Sequence, residues 1–252
     1  GVILVTTKHG SDGEGKFDIT FSANYGIQSF LYIPETASAT DHMLLMNEKV
    51  RNAWGDAAYL NSVTPKYTWE QIFAYSSAQN RGTNWTEELF NDTVPQSQYN
   101  VSLNGGNDRV TYFFNLGYMD QMGAYKSGSL NYNRWNFRSN VDVKITERLK
   151  AVVQLSGYMD EKNQPFTDIW AVYKKAWTYK PTAEAYVDGN HDYPAYTSEF
   201  LESENPVAAI DSDLTGYRQE KRQNLNGSLA LTWDIPGVKG LNVKGFYSYD
   251  YY

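Results

Sequence analysis

Histidines, carboxylates and glycines are where this chain could do covalent or metal chemistry, and none of them forms a working set. His9, His42 and His191 are scattered through 252 residues without a second ligand at helical or loop spacing. A zinc-type site needs three or four converging donors, so no metal is expected. The chain has no cysteine, which removes thiolate metal sites, disulfides and cysteine nucleophiles. Asp211-Ser212-Asp213-Leu214-Thr215-Gly216 opens like a calcium loop, but its last ligand position is Arg222, where a bidentate glutamate is needed. An acidic turn is the simpler reading. Gly10, Gly13 and Gly15 lack the phosphate-binding G-x-G-x-x-G order, and no helix pattern follows them. Glu202 and Glu204 read as a solvated loop pair, and the sequons at Asn84 and Asn91 are short enough to arise by chance. No catalytic residue, cofactor or enzyme activity is therefore assigned.

Recognition chemistry is better represented. Trp54, Trp69, Trp85, Trp170 and Trp177, with Tyr173, Tyr179, Tyr186, Tyr193 and Tyr196, fall in two long segments between strand patterns. Aromatic faces stack on sugar rings, and Trp and Tyr concentrate at binding hot spots. Trp54 and Trp69 lie on helical apolar stripes and are expected to pack inward. Trp85, Trp170, Trp177 and Tyr193 are the candidate substrate-binding residues, against the alternative that they pack the segments' own small cores.

The elements that must position these side chains are mostly strands. Phe17, Ile19, Phe21, Ala23 and Tyr25 alternate with Asp18, Thr20, Ser22 and Asn24, and a similar alternation returns six more times, ending at Leu241–Tyr251. The apolar faces of these segments carry no charge. The opposite faces carry Asp18, Arg134, Arg138, Asp142, Lys144, Lys150, Asp234, Lys244 and Asp250. Several segments run about ten residues, the length a tilted strand needs to cross a bilayer. Aromatics gather at the segment ends, as in the interfacial girdles of a transmembrane barrel. Arg134, Arg138 and Lys144 are expected on the lumen side, paired with carboxylates of whatever fills it.

Composition agrees with this once the period is taken into account. Twenty-two basic against 29 acidic residues give a net charge of −7, a poor basis for binding nucleic acid. The mean hydropathy of −0.58 looks soluble. A transmembrane strand shows lipid only every second side chain, however, so a polar average is compatible with a barrel. Connections at residues 105–109, 146–148 and 235–240 are short. Those at 26–98, 120–133 and 161–223 are long, which is the up-and-down pattern of outer-membrane barrels. The first long loop is expected to hold two helices. One carries Met43, Met46, Val50 and Trp54 after an N-cap at Thr40; the other follows a capping box at Thr68–Gln71.

Three stretches in this order carry a family resemblance: GVILVTTKHG at residues 1–10, WTEELFNDTVPQSQYNVSLNGG at 85–106, and VTYFFNLGYMD at 110–120 followed by Gly123. They resemble the end of the plug domain, the passage from the first outer loop into the barrel, and the next strand of SusC/RagA-type TonB-dependent transporters. WDIPGVKG at 233–240 resembles that family's short periplasmic turns. The resemblance implies an all-β, antiparallel up-and-down transmembrane β-barrel of about 22 strands, of which seven would lie here. Residues 1–9 would be the last plug strand, 10–16 a hinge that stays with the wall, and 17–252 the first part of the barrel. The chain would then be an internal fragment, unable to transport alone. The family's members import oligosaccharides or peptides through the bacterial outer membrane, driven by the TonB complex and capped by a SusD-like lipoprotein lid. The expected partners are therefore that lid, TonB, outer-membrane lipid, and an oligosaccharide or peptide ligand. A receptor for siderophores or cobalamin, and a non-membrane glycan-binding β-protein of the cell surface, are the alternatives.

Overall fold

Seven strands form where the period is two: β1 (Phe17–Ser29), β2 (Thr93–Gly106), β3 (Val110–Met122), β4 (Asn131–Lys144), β5 (Leu149–Pro165), β6 (Tyr217–Asp234) and β7 (Asn242–Tyr251). In this computed structural model the described residues are 8–10, 15–56, 64–77, 81–196 and 205–252. The seven strands make one sheet in sequence order, and every neighbouring pair is antiparallel. This is the expected all-β, up-and-down wall. The strand predicted within residues 1–9 and most of the hinge at 10–16 lie outside the described residues.

Register sorts the side chains into two faces, because a side-chain period of two keeps paired residues on the same side. Phe21, Val101, Leu116, Phe137, Gly157, Leu225 and Tyr251 stand opposite one another along one face. One step along, Ser22, Asn100, Gly117, Asn136, Tyr158 and Asn224 line the other. The apolar face has no core behind it: Phe21 is 65% exposed, and Ile19, Leu116, Leu229 and Tyr247 are exposed with it. Such a continuous apolar surface is a liability in water and the normal lining of a bilayer. Among the described residues no helix is long and apolar enough to cross a membrane.

The strands outrun their alternating cores. β5 has 17 residues and β6 has 18, against the roughly 9–11 needed to span. On the apolar face the row Tyr99, Tyr118, Trp135 and Met159 is followed, one step further out, by Ser97, Asp120, Asn133, Glu161 and Lys221. Lys221 Nζ lies 3.2 Å from Glu161 Oε2, and Gln219 Nε2 donates to Glu161 Oε1 at 2.8 Å. The lipid-facing band therefore ends at the aromatic row, and the ladder continues beyond it. The irregular connections shrink accordingly to residues 30–92, 123–130 and 166–216.

Among the described residues helices occur only in the long connections: α1 (Ala39–Trp54), α2 (Trp69–Ala74), α3 (Trp85–Leu89), α4 (Ile169–Thr178), α5 (Pro206–Ala209) and α6 (Ser212–Thr215), with a 3-10 turn at Val187–Gly189. The Thr68–Gln71 capping box forms as expected, with both reciprocal bonds made. The N-cap of α1 is Ser38 instead of Thr40. The Ser38 hydroxyl accepts from Asp41 N at 3.1 Å, and Thr40, the second residue of the helix, donates to the Tyr75 carbonyl. The expected inward packing of Trp54 and Trp69 is also corrected, since both are 67% exposed. The inward positions are Ala39 and Met43 on α1 and Ile72 on α2. Trp69 stacks outside against Phe73, with ring centroids 6.2 Å apart.

Candidate functional site

The long connections at the outer end fold into one cap with its own core. Trp85, Leu89, Phe90, Tyr125, Val172, Ala176, Ala183, Ala185, Val207, Ala209 and Ile210 form a single buried cluster, contributed by the loops after β1, β3 and β5. Buried polar groups fix it. Asn205 donates to the carbonyls of Ala185 and Ala195, each at 2.9 Å, and its own carbonyl accepts from Val207 N. The Tyr125 hydroxyl donates to Ile169 O at 2.9 Å, and Ser127 donates to Ile210 O. Burial pushes the Tyr125 phenol well above its usual range, with the Asp168 carboxylate adding to the effect.

Against this core the four candidate ligand residues separate. Trp85 is 2% exposed and its indole donates to Lys180 O at 3.0 Å, so its ring belongs to the core and is closed to a ligand. This is the alternative reading, that these aromatics pack the segments' own small cores. Trp177 is half-buried between Phe90 and Tyr173, at centroid distances of 6.1 and 4.4 Å. Trp170 is 69% exposed on the same helix and meets Tyr173 edge-on. Tyr193 is 63% exposed and sits in the turn closed by the Tyr186–Pro194 bridge. Trp170 and Trp177 thus share one helix, while Tyr193 belongs to another part of the cap.

That other part adjoins a polar cleft not anticipated from the sequence. A cavity of about 370 Å³ is lined by Tyr75, Arg81, Glu88, Glu184, Tyr186, Asp188 and His191, together with backbone of residues 181–185. Tyr186 and His191 stack at a centroid distance of 4.2 Å. Burial raises the Tyr186 phenol above its ordinary value, with Glu88 and Asp211 contributing. Thr83 holds one wall to the other by donating to Ala183 O. The turn at Asp188-Gly189-Asn190 was the available sequence signal, since Asp188 takes a left-handed φ of 49°.

The inner face carries the cations expected there. Arg134 donates to Asn136 Oδ1 at 2.6 Å and lies 4.3 Å over the Tyr158 ring. Lys8 and His9 are docked on this face. His9 Nδ1 is 2.9 Å from Asp142 Oδ2, and Asn140 donates to Lys8 O. Gly10 lies so close to the wall that an added Cβ would meet Tyr112 N at 2.2 Å.

Among the described residues no group of three or more His, Cys, Asp or Glu could hold an ion. Asp211 instead caps α6, accepting from Asp213 N at 2.8 Å, and Asn84 caps α3.

No family model matches the chain. It is 26% identical over 165 residues to TonB-dependent receptor P26 of Formosa agariphila, covering 65% of this chain and 15% of that protein. It is 23% identical over 232 residues to TonB-dependent receptor SusC of Bacteroides thetaiotaomicron, covering 92% of this chain and 20% of that protein. In fold it is similar to the RagAB peptide importer in the closed-closed state, at a TM-score of 0.67, 19% identity and coverage of 97% of this chain and 29% of that one. A RagAB peptide transporter structure matches at 0.66 and 21% identity, over 97% of this chain and 29% of that one. The chain therefore spans between 15% and 29% of the length of these proteins. In sequence the chain is similar to TonB-dependent receptors, SusC among them, and in fold it is similar to a section of the RagAB importer.

Proposed function

We propose that the protein of which these residues are part imports a large nutrient across the bacterial outer membrane, powered through TonB and covered by a SusD-like lipoprotein. Binding and passage, with no covalent step, are its whole chemistry. The observation that carries the reading is the two-faced sheet: a face that is apolar and uncharged as far as its aromatic row, an inner face of amides and charges, and a folded cap on the outer end. Residues 1–9 are read as the end of a plug and 10–16 as its tether to the wall. TonB would pull the plug while the tether stays with the barrel.

An oligosaccharide is favoured over a peptide because Trp170 and Tyr193 present aromatic faces to solvent, the surface that sugar rings stack on. The RagAB structures carry the word peptide in their names, which keeps a peptide as the second reading. Deleting the full-length gene and following uptake of mixed oligosaccharides and peptides separates the two. Selective loss of oligosaccharide uptake supports the proposal; loss of peptide uptake alone replaces it with the second reading. Unchanged uptake of both, or loss of iron-chelate uptake alone, overturns it.

A further inference from the structure

We infer that the inner wall holds a receiving site for an oxyanion, a carboxylate or sulfate, formed by Arg134, Arg138 and Lys8. These three line a cavity of about 630 Å³. The rest of its lining includes the amides of Asn115, Asn136 and Asn224 but, among the described residues, no Asp or Glu. In a chain of net charge −7, three cations gathered without an acid run against the overall composition.

The arginines are also unanswered. Among the described residues neither has a carboxylate within 4.0 Å. Arg138 faces Asn115 and Ser156 across the ladder, both neutral. Arg134 faces Asp160 in register, but that carboxylate accepts from the Tyr132 hydroxyl and lines a different cavity. Asn136 and the Tyr158 ring fix the plane of the Arg134 guanidinium, leaving it further N–H groups to donate. A planar fork of donors held in place is the arrangement that takes an oxyanion in two parallel bonds. Cations enclosed in a barrel without a counter-charge are costly, and an arriving anion relieves that cost.

The same chemistry has two sources. One is a carboxylate from another part of the same polypeptide lying in the lumen; the other is an acidic substrate in transit. The inference rests on this face being the lumen of a transporter, so site and transport are measured separately. Full-length protein in outer-membrane vesicles is labelled with the arginine reagent phenylglyoxal, and Arg134 and Arg138 are read by peptide mass spectrometry. The media are chloride and citrate at matched ionic strength, each low and high. Labelling several-fold slower in citrate than in chloride shows an open site that takes anions from outside. Slow labelling in both, accelerated several-fold at high ionic strength, shows a site already filled by the chain's own carboxylate. Fast labelling indifferent to citrate overturns the inference, and so does slow labelling indifferent to salt, which means mere steric cover. Uptake is followed in parallel. Arginines that respond as expected in a protein that imports nothing keep the site and refute the transport reading.

Discussion

Tyr125 shows how a single residue ties the cap together. Its ring stacks on Phe90, its hydroxyl bonds Ile169 O, and it is buried. Tyr125→Phe should cost about 1 kcal/mol of cap stability, the usual net worth of one hydrogen bond, read as faster proteolysis of the outer loops. The pH dependence follows from the direction of its shift. The folded phenol ionises above its ordinary value, whereas the unfolded chain loses that proton near pH 10. Its contribution to stability is full below about pH 10 and falls as pH rises beyond it. Protease resistance of the cap should drop on the alkaline side in the parent and drop less in Tyr125→Phe. Asn205 is more demanding, because it satisfies two carbonyls and a backbone N–H in a fully buried position. Asn205→Leu should cost about 1–3 kcal/mol for each group left unpaired, and thermal scans of the intact protein should show the cap melting earlier. Trp85→Ala, by emptying the core, should cost about 3–5 kcal/mol. If Trp85 instead leaves cap stability unchanged and weakens ligand binding, the assignment to the core is wrong.

Strands were far more legible in sequence than helices, for a physical reason. A wall strand has lipid on one side and water or protein on the other, so its alternation is imposed along its whole spanning length. The seven segments and their facing parity were readable from that alone. Their ends were not, because beyond the aromatic row the same face turns polar at Asp120, Asn133, Glu161 and Lys221 while the ladder goes on. The loop helices obey a weaker constraint. An apolar stripe says which side would be covered, not how far the cover extends. On α1 it covers Ala39 and Met43 and leaves Trp54 in the open. The candidate ligand residues were chosen by type, and type does not distinguish a core indole such as Trp85 from an exposed one such as Trp170. The polar cleft was missed because its members come from two loops about a hundred residues apart. At this scale the test is a pair of neighbours on β6. In the intact barrel Leu229→Lys should cost about 2–4 kcal/mol near the bilayer midplane. Ser228→Lys, on the opposite face, should cost little. Equal effects in urea titrations of bilayer-inserted protein would argue against a lipid face.

Across the whole molecule the sheet is a curtain with two free edges, β1 and β7, among the described residues. Each edge presents a row of backbone donors and acceptors that no strand here satisfies. Inside hydrocarbon such groups must be paired. The 252 residues expressed alone should therefore associate edge to edge, and size-exclusion chromatography in detergent should show oligomers in place of a single monomer peak.

The overhang of β5 and β6 bears on which parts can move. Their ladder runs unbroken from Leu149 opposite Trp233 to Pro165 opposite Tyr217, and the cap's own core closes directly on top of it. Swinging the cap away would mean unzipping those rungs one after another, so the cap behaves as a stator, fixed to the wall like masonry on its footing.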